Sequence, residues 1–319
     1  MDAAIREMLD RQEQAAAAQP RPAVGMIPLD QMRAGYRMQR QSVNLNAPKD
    51  VDVRDLEISG GAGKIAARLY VPAGCTDPSP GLIYFHGGGF VVGDIVSHDG
   101  HCRRLAAYGA LRVLAVDYRL APEHPFPAAH DDALAATTWV FGHADEIGMD
   151  RTRIVVGGCS AGANLAASVA LDLKGDAERR LAFQLLLYPV TWPAVETASR
   201  RDLDGPVLTK AGLALFESLL GAKQHPAAAR TYLHLQDNLA GVAPALVVTA
   251  GYDPLKDEGR AYAERLASAG VAAEHLHYPE LIHDFYLLGD VSPAVEAAAR
   301  ETAGRLQAAL AGGGQGLSG

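Results

Sequence analysis

The sequence predicts an α/β fold: a mostly parallel central sheet with helices on both faces. Three observations carry this. Short, nearly continuous apolar runs recur at 82–85, 113–116, 154–156, 183–188, 245–249 and 272–278. Helical periodicity near 99–109, 129–143, 161–173 and 257–269 fills gaps between them. Strands that are apolar on both sides belong to a parallel sheet, because its crossover helices cover each face. Finally, a chain of 319 residues can bury about three quarters of its unfolded surface, so its core needs no disulfide or metal to stand.

Before the first strand, residues 2–18 pattern as an amphipathic helix with Ile5, Met8 and Leu9 on one side. Three prolines between Gln19 and Pro28 interrupt it, and a second helical stretch spans 29–40. Both precede any strand and look laid over something else. Residues 53–58 and 65–71 read as strands joined by a Gly-rich hairpin connection at 59–63. The segment 191–239 breaks the strand–helix rhythm and carries its own apolar pattern, from Leu213 to Leu220, so it reads as a helical excursion from the sheet. The expected organisation is N-terminal helices in 1–50, an α/β domain from 51–190 and 240–312, an inserted helical segment in 191–239 and a flexible tail in 313–319. No internal repeat is present.

Composition excludes several functions. Hydrophobic residues make up 49% and charged residues 21%, which is ordinary for a globular chain. The net charge of −8 argues against a nucleic-acid partner and against attraction to anionic membranes. Cys75, Cys102 and Cys159 form no CxxC pair, so neither a zinc site nor a disulfide framework is indicated, and no metal or other cofactor is expected. The first residues lack the apolar core of a signal peptide, and no apolar run is long enough to span a membrane. A cytoplasmic location without stable membrane insertion is expected.

Gly158-Cys159-Ser160-Ala161-Gly162 lies between an apolar strand and a helical stretch. Alone it could be a turn of small residues. In that setting it reads as a nucleophile elbow, with Ser160 exposed on a tight turn and the helix N-terminus behind it. Upstream, His86-Gly87-Gly88-Gly89-Phe90 follows the strand 82–85. Neither the Lys-Ser/Thr of a phosphate loop nor dinucleotide-fingerprint spacing accompanies it. Beside a serine nucleophile, such glycines supply backbone N–H groups to a developing oxyanion. His86 is expected to brace this loop rather than act as a base.

A serine nucleophile needs a base and an orienting acid, which follow it in that fold context as acid and then histidine. Asp253 stands just past the strand 245–250, where functional residues of α/β sheets collect. Asp257 and Glu258 open the next helix, where acids commonly answer the helix dipole. His283 follows the strand that ends at Tyr278, whereas His124 and His130 precede the serine and His275 and His277 lie within a strand pattern. Ser160, Asp253 and His283 are therefore the expected nucleophile, acid and base.

These elements, together with the run from Tyr118 to Ala129, resemble the bacterial hormone-sensitive-lipase-like esterases, a branch of the α/β-hydrolase fold, over residues 78–290. The resemblance implies a carboxylesterase with a small-molecule ester substrate of short acyl chain. It implies oxyanion donors at Gly87, Gly88 and Ala161, and a cap made from the N-terminal helices and 191–239. It also implies a homodimer paired along the edge strand near 272–278. The chain departs from the family pattern at Cys159, Ala163 and Asp284, none of which removes a catalytic group. Cys159 reads as a buried small side chain. Amide or carbamate hydrolysis and acyl transfer remain open on the same residues, as does a non-catalytic ligand-binding protein.

Overall fold

The computed structural model describes residues 1–18 and 25–312. Helices α1 (Ala3–Ala18) and α2 (Leu29–Ser42) lead into a hairpin of β1 (Val51–Gly60) and β2 (Gly63–Pro72). The chain then alternates through β3 (Ser79–Phe85), α3 (Ile95–Gly109), β4 (Arg112–Asp117), α4 (Ala128–His143), β5 (Met149–Cys159), α5 (Ala161–Asp172) and β6 (Phe183–Leu187). After α6 (Ala198–Asp202) and α7 (Lys210–Leu220) it returns through β7 (Ala245–Tyr252), α8 (Lys256–Ser268), β8 (Ala273–Ile282) and α9 (Pro293–Ala311).

The eight strands form one sheet in the order β1-β2-β4-β3-β5-β6-β7-β8, in which β2 alone runs against the others. Alternate side chains feed two cores, as the two-residue period of a strand requires. Ile83, Phe85, Ile154 and Val156 pack with α4, α5 and α8 on one face. Leu82, Tyr84 and Val155 pack with α3 and α9 on the other, where Ile5 of α1 is also wholly buried. The apolar side expected for α1 is thus the side that docks.

Several boundaries differ from the sequence-based expectation. β5 begins well before the apolar run 154–156, because its first residues pair at the sheet's end, where polar side chains meet water. α9 has no counterpart among the expected elements, although Ser292 caps it and Pro293 occupies its first turn, a recognisable start signal. The excursion 191–239 is helical only in α6, α7 and two short 3₁₀ turns. The tail 313–319, expected to be flexible, lies outside the described residues. Among those described, no helix is long and apolar enough to cross a membrane.

One difference bears on the site. β8 does not stop at Tyr278 but runs to Ile282. A register irregularity between Ala250 and Tyr252 lets the strands pair again at Tyr252 and Ile282. A bulge of this kind re-aims the residues beyond it. Here those are Asp253 and His283, which leave the sheet side by side.

Candidate active site

Ser160 sits between β5 and α5 with φ 53 and ψ −115, a backbone that a residue bearing a Cβ rarely adopts. The surrounding structure holds it there: its N–H donates to the Leu187 carbonyl at 2.8 Å. The tight turn brings α5 against β3, and a Cβ at Gly162 would lie 1.9 Å from the Phe85 carbonyl oxygen. Only glycine fits.

His283 lies between the serine and the acid. Its Nε2 is 3.0 Å from Ser160 Oγ, and its Nδ1 is 2.8 Å from Asp253 Oδ2. The other Asp253 oxygen accepts the Leu255 N–H at 2.8 Å, which fixes the carboxylate plane. Burial disfavours the charged imidazole, but the charges of Asp253 and Asp284 outweigh it, and His283 titrates above the ordinary histidine value.

The glycine loop is braced from below. Tyr118 OH donates to the His86 carbonyl at 2.7 Å and its ring stacks on His86, whose Nδ1–H donates to the Gly87 carbonyl at 2.8 Å. Gly88 has φ +116, and a Cβ there would meet the Val92 carbonyl oxygen at 2.1 Å. The expectation for Gly87 needs correction. Its N–H donates to His98 Nε2 at 3.1 Å, so it is engaged beneath the loop. Gly88 and Gly89 line the cleft with Ser160 and His283, whereas Gly87 does not. Neither Gly88 nor Gly89 donates its N–H to any other described residue. Three consecutive glycines look alike in the sequence, and only the turn of the loop distinguishes them.

The remaining histidines and acids are brought elsewhere. His130 is buried against Asn164 Oδ1 at 3.1 Å, and burial lowers its pKa to about 3. His275 and His277 share the Thr249 hydroxyl at the sheet edge. Asp257 accepts the Ser199 N–H at 2.8 Å. Glu258 is buried, accepts the Thr191 N–H at 2.6 Å and pairs with Arg200, so it anchors the excursion rather than serving a helix dipole. The Cys159 thiol is buried, which pushes its pKa up to about 12 and leaves it protonated. Among the described residues, no three His, Cys, Asp or Glu side chains are grouped to hold a metal.

Tyr36, Gln39 and Arg40 of α2 and Leu213 and Phe216 of α7 line the cleft together with Ser160 and Trp192. Sequence reasoning named none of these as site residues. The sequence marked 29–40 only as a helical stretch laid over something else, not what it would meet.

A strained serine backed by a buried histidine and carboxylate, at the strand ends of such a sheet, is the equipment of a serine hydrolase. Known proteins narrow the class. The model of a family described as alpha/beta hydrolase fold matches residues 82–287, and the chain belongs to that family, in its hormone-sensitive-lipase-like branch. It is 42% identical over 254 residues to esterase LipI of Mycobacterium tuberculosis, covering 78% of this chain and 79% of that one. It is also 42% identical over 269 residues to carboxylic ester hydrolase LipN of the same organism, covering 82% and 71%. Among solved structures, the ester-hydrolase EH1AB1 from the metagenome of Lake Arreo, complexed with a bipyridine phosphonate derivative, superposes with a TM-score of 0.91. That protein is 38% identical, with 97% of this chain and 98% of that one covered.

Proposed function

We propose that this carboxylic-ester hydrolase acts on esters of short acyl chains through an acyl-enzyme on Ser160. The reading rests on one observation: His283 Nε2 lies 3.0 Å from Ser160 Oγ while its Nδ1 lies 2.8 Å from Asp253. Ser160 Oγ attacks the ester carbonyl as His283 takes its proton, and Asp253 holds the tautomer and stabilises the imidazolium. The N–H groups of Gly88, Gly89 and Ala161, the last at the N-terminus of α5, receive the oxyanion. Collapse expels the alcohol, which carries away the proton from His283. Water, deprotonated by the same imidazole, then releases the acid and regenerates Ser160.

The short-chain preference is supported by the walls of the cleft. Trp192, Leu213 and Phe216 line the cleft with the serine, and a Cβ on Gly89 would already strike Phe216. We assign α2 and the excursion 191–239 the role of a cap and 51–190 with 240–312 the role of the catalytic domain. Cytoplasmic residence accords with the free state of all three cysteines. The edge position of β8 suits pairing with a second copy.

An acyl-length series of nitrophenyl esters with one anilide tests the function. Turnover should be greatest for acetate to hexanoate and far lower for the anilide. Ser160→Ala should lose about 10⁴-fold or more in kcat while staying folded. Ser160→Ala within tenfold of wild type would overturn the acyl-enzyme, and an anilide rate matching the esters would favour an amidase. Binding without any nitrophenol release would favour a ligand-binding protein.

A further inference from the structure

Asp284 follows His283 directly and holds a left-handed backbone, φ 62 and ψ 17, that is ordinary for glycine and that aspartate adopts more readily than most other residues. Its side chain turns back toward the site. Oδ2 accepts from Arg40 Nη2 of α2 at 2.9 Å and from Tyr36 OH at 3.4 Å. Oδ1 has no hydrogen-bond partner among the described residues and lies 3.7 Å from His283 Nε2. Arg40 is 2% exposed and Asp284 is 5% exposed, so water screens neither charge. Arg40 Nε and Nη1 are likewise without partners there.

We propose that Asp284 and Arg40 are positioning residues for His283: Asp284 stabilises the protonated imidazole from its Nε2 side, and Arg40 holds the carboxylate too far away to hydrogen-bond the Nε2–H. The proposal rests on His283 being the base. When His283 has accepted the Ser160 proton, Nε2–H must stay free to pass it to the departing alcohol. A carboxylate in full hydrogen-bond contact would tie up that N–H and compete with the departing alcohol for it. At 3.7 Å it lends its charge without the bond, since Ser160 Oγ at 3.0 Å remains nearer. What stops the carboxylate from closing the gap is the ion pair to α2.

The charged and titratable groups around His283 are few. Asp253 faces Nδ1, Asp284 and Arg40 lie on the opposite side, and the Tyr188 ring packs edge-on with centroids 4.9 Å apart. Tyr36 and the Cys159 thiol complete the surroundings of Asp284, and burial raises the Tyr36 and Cys159 pKa values, which keeps both neutral. The elevated titration of His283 agrees with an anion on each side, Arg40 opposing both.

The test is the pH profile of kcat/KM for nitrophenyl butyrate, measured on the full chain. Asp284→Asn should lower the midpoint by at least about half a pH unit. Arg40→Met frees the carboxylate to close on Nε2, so the midpoint should rise and the plateau kcat fall about tenfold. Arg40→Met combined with Asp284→Gly should restore the plateau to within about threefold and bring the midpoint below wild type. A purely structural role would scale the plateau with the folded fraction and leave the midpoint alone. If Arg40→Met does not fold, the neutral, polar Arg40→Gln takes its place. An unmoved midpoint in Asp284→Asn, or a double variant no more active than the Arg40 variant alone, overturns the proposal. Ser160→Ala measured alongside separates the two readings: if it stays active, the triad reading fails, and if it is dead while the midpoints stand still, only this inference fails.

Discussion

The Gly87 N–H donates to Nε2 of His98, eleven residues away at the start of α3, and not to the catalytic cleft. The bond requires a neutral ring. Burial first, and then the neighbouring Arg40 charge, hold the His98 pKa well below the ordinary value, and Nδ1–H can donate to the Asp94 carbonyl at 3.2 Å. His98 thereby supports from beneath the loop whose next two glycines face the serine.

Replacing His98 with Phe should keep the ring volume and remove the acceptor. The buried Gly87 N–H is then unsatisfied, at a cost of about 1–3 kcal/mol. With the loop loosened, kcat should fall about 10- to 100-fold while KM changes little. Steady-state kinetics with a thermal melt check this. An unaltered kcat would mean the loop keeps its shape without His98.

Asp253→Asn and Glu258→Gln should separate catalysis from anchoring. Asparagine cannot stabilise the imidazolium and favours the wrong tautomer, so kcat should drop by about 10³–10⁴-fold with Tm nearly unchanged. Glutamine at 258 weakens the hold on Thr191 and Arg200, so stability should fall by about 1–3 kcal/mol with kcat within about threefold. If the kinetic losses are the other way round, Asp253 is not the acid.

The rate should rise with pH through a midpoint above the ordinary histidine value of about 6.5, because the two carboxylates outweigh burial at His283. Proton abstraction needs the neutral ring. The same shift has a stability consequence of opposite sense. A folded-state pKa raised above the unfolded one contributes stability that is fully present below about pH 6.5 and is lost as the pH climbs through the folded value. Kinetics and chemical denaturation across pH 5–9 read both, and a midpoint below 6 would contradict the charge balance described.

Deleting residues 1–40 should alter substrate preference more than it unfolds the sheet. α2 lays Leu29, Met32 and Tyr36 over Val91, Val92 and Ala121, and Arg33 and Arg37 pair with Glu123 and Asp94 on the rim. Without it the cleft loses a wall, and kcat/KM for short esters should fall about tenfold or more. Unchanged kinetics across acyl lengths would show that α2 is no part of the cap.

The sequence by itself determined the alternation of strands and helices, because burial imposes periods of two and of about 3.6 residues that any reader can count. It also singled out Ser160, Asp253 and His283, which the structure brings within hydrogen-bond distance of one another. Tertiary structure alone decided the rest. Which glycine N–H groups face the cleft depends on His98, and what Glu258 does depends on Thr191 and Arg200. The partner of Asp284 stands 244 residues earlier, on a helix that the sequence marks only as laid over something else. Periodicity along the chain records how much of a residue is buried. The direction of a particular N–H, or the mate of a buried charge, is set by contacts between segments that the chain order does not join.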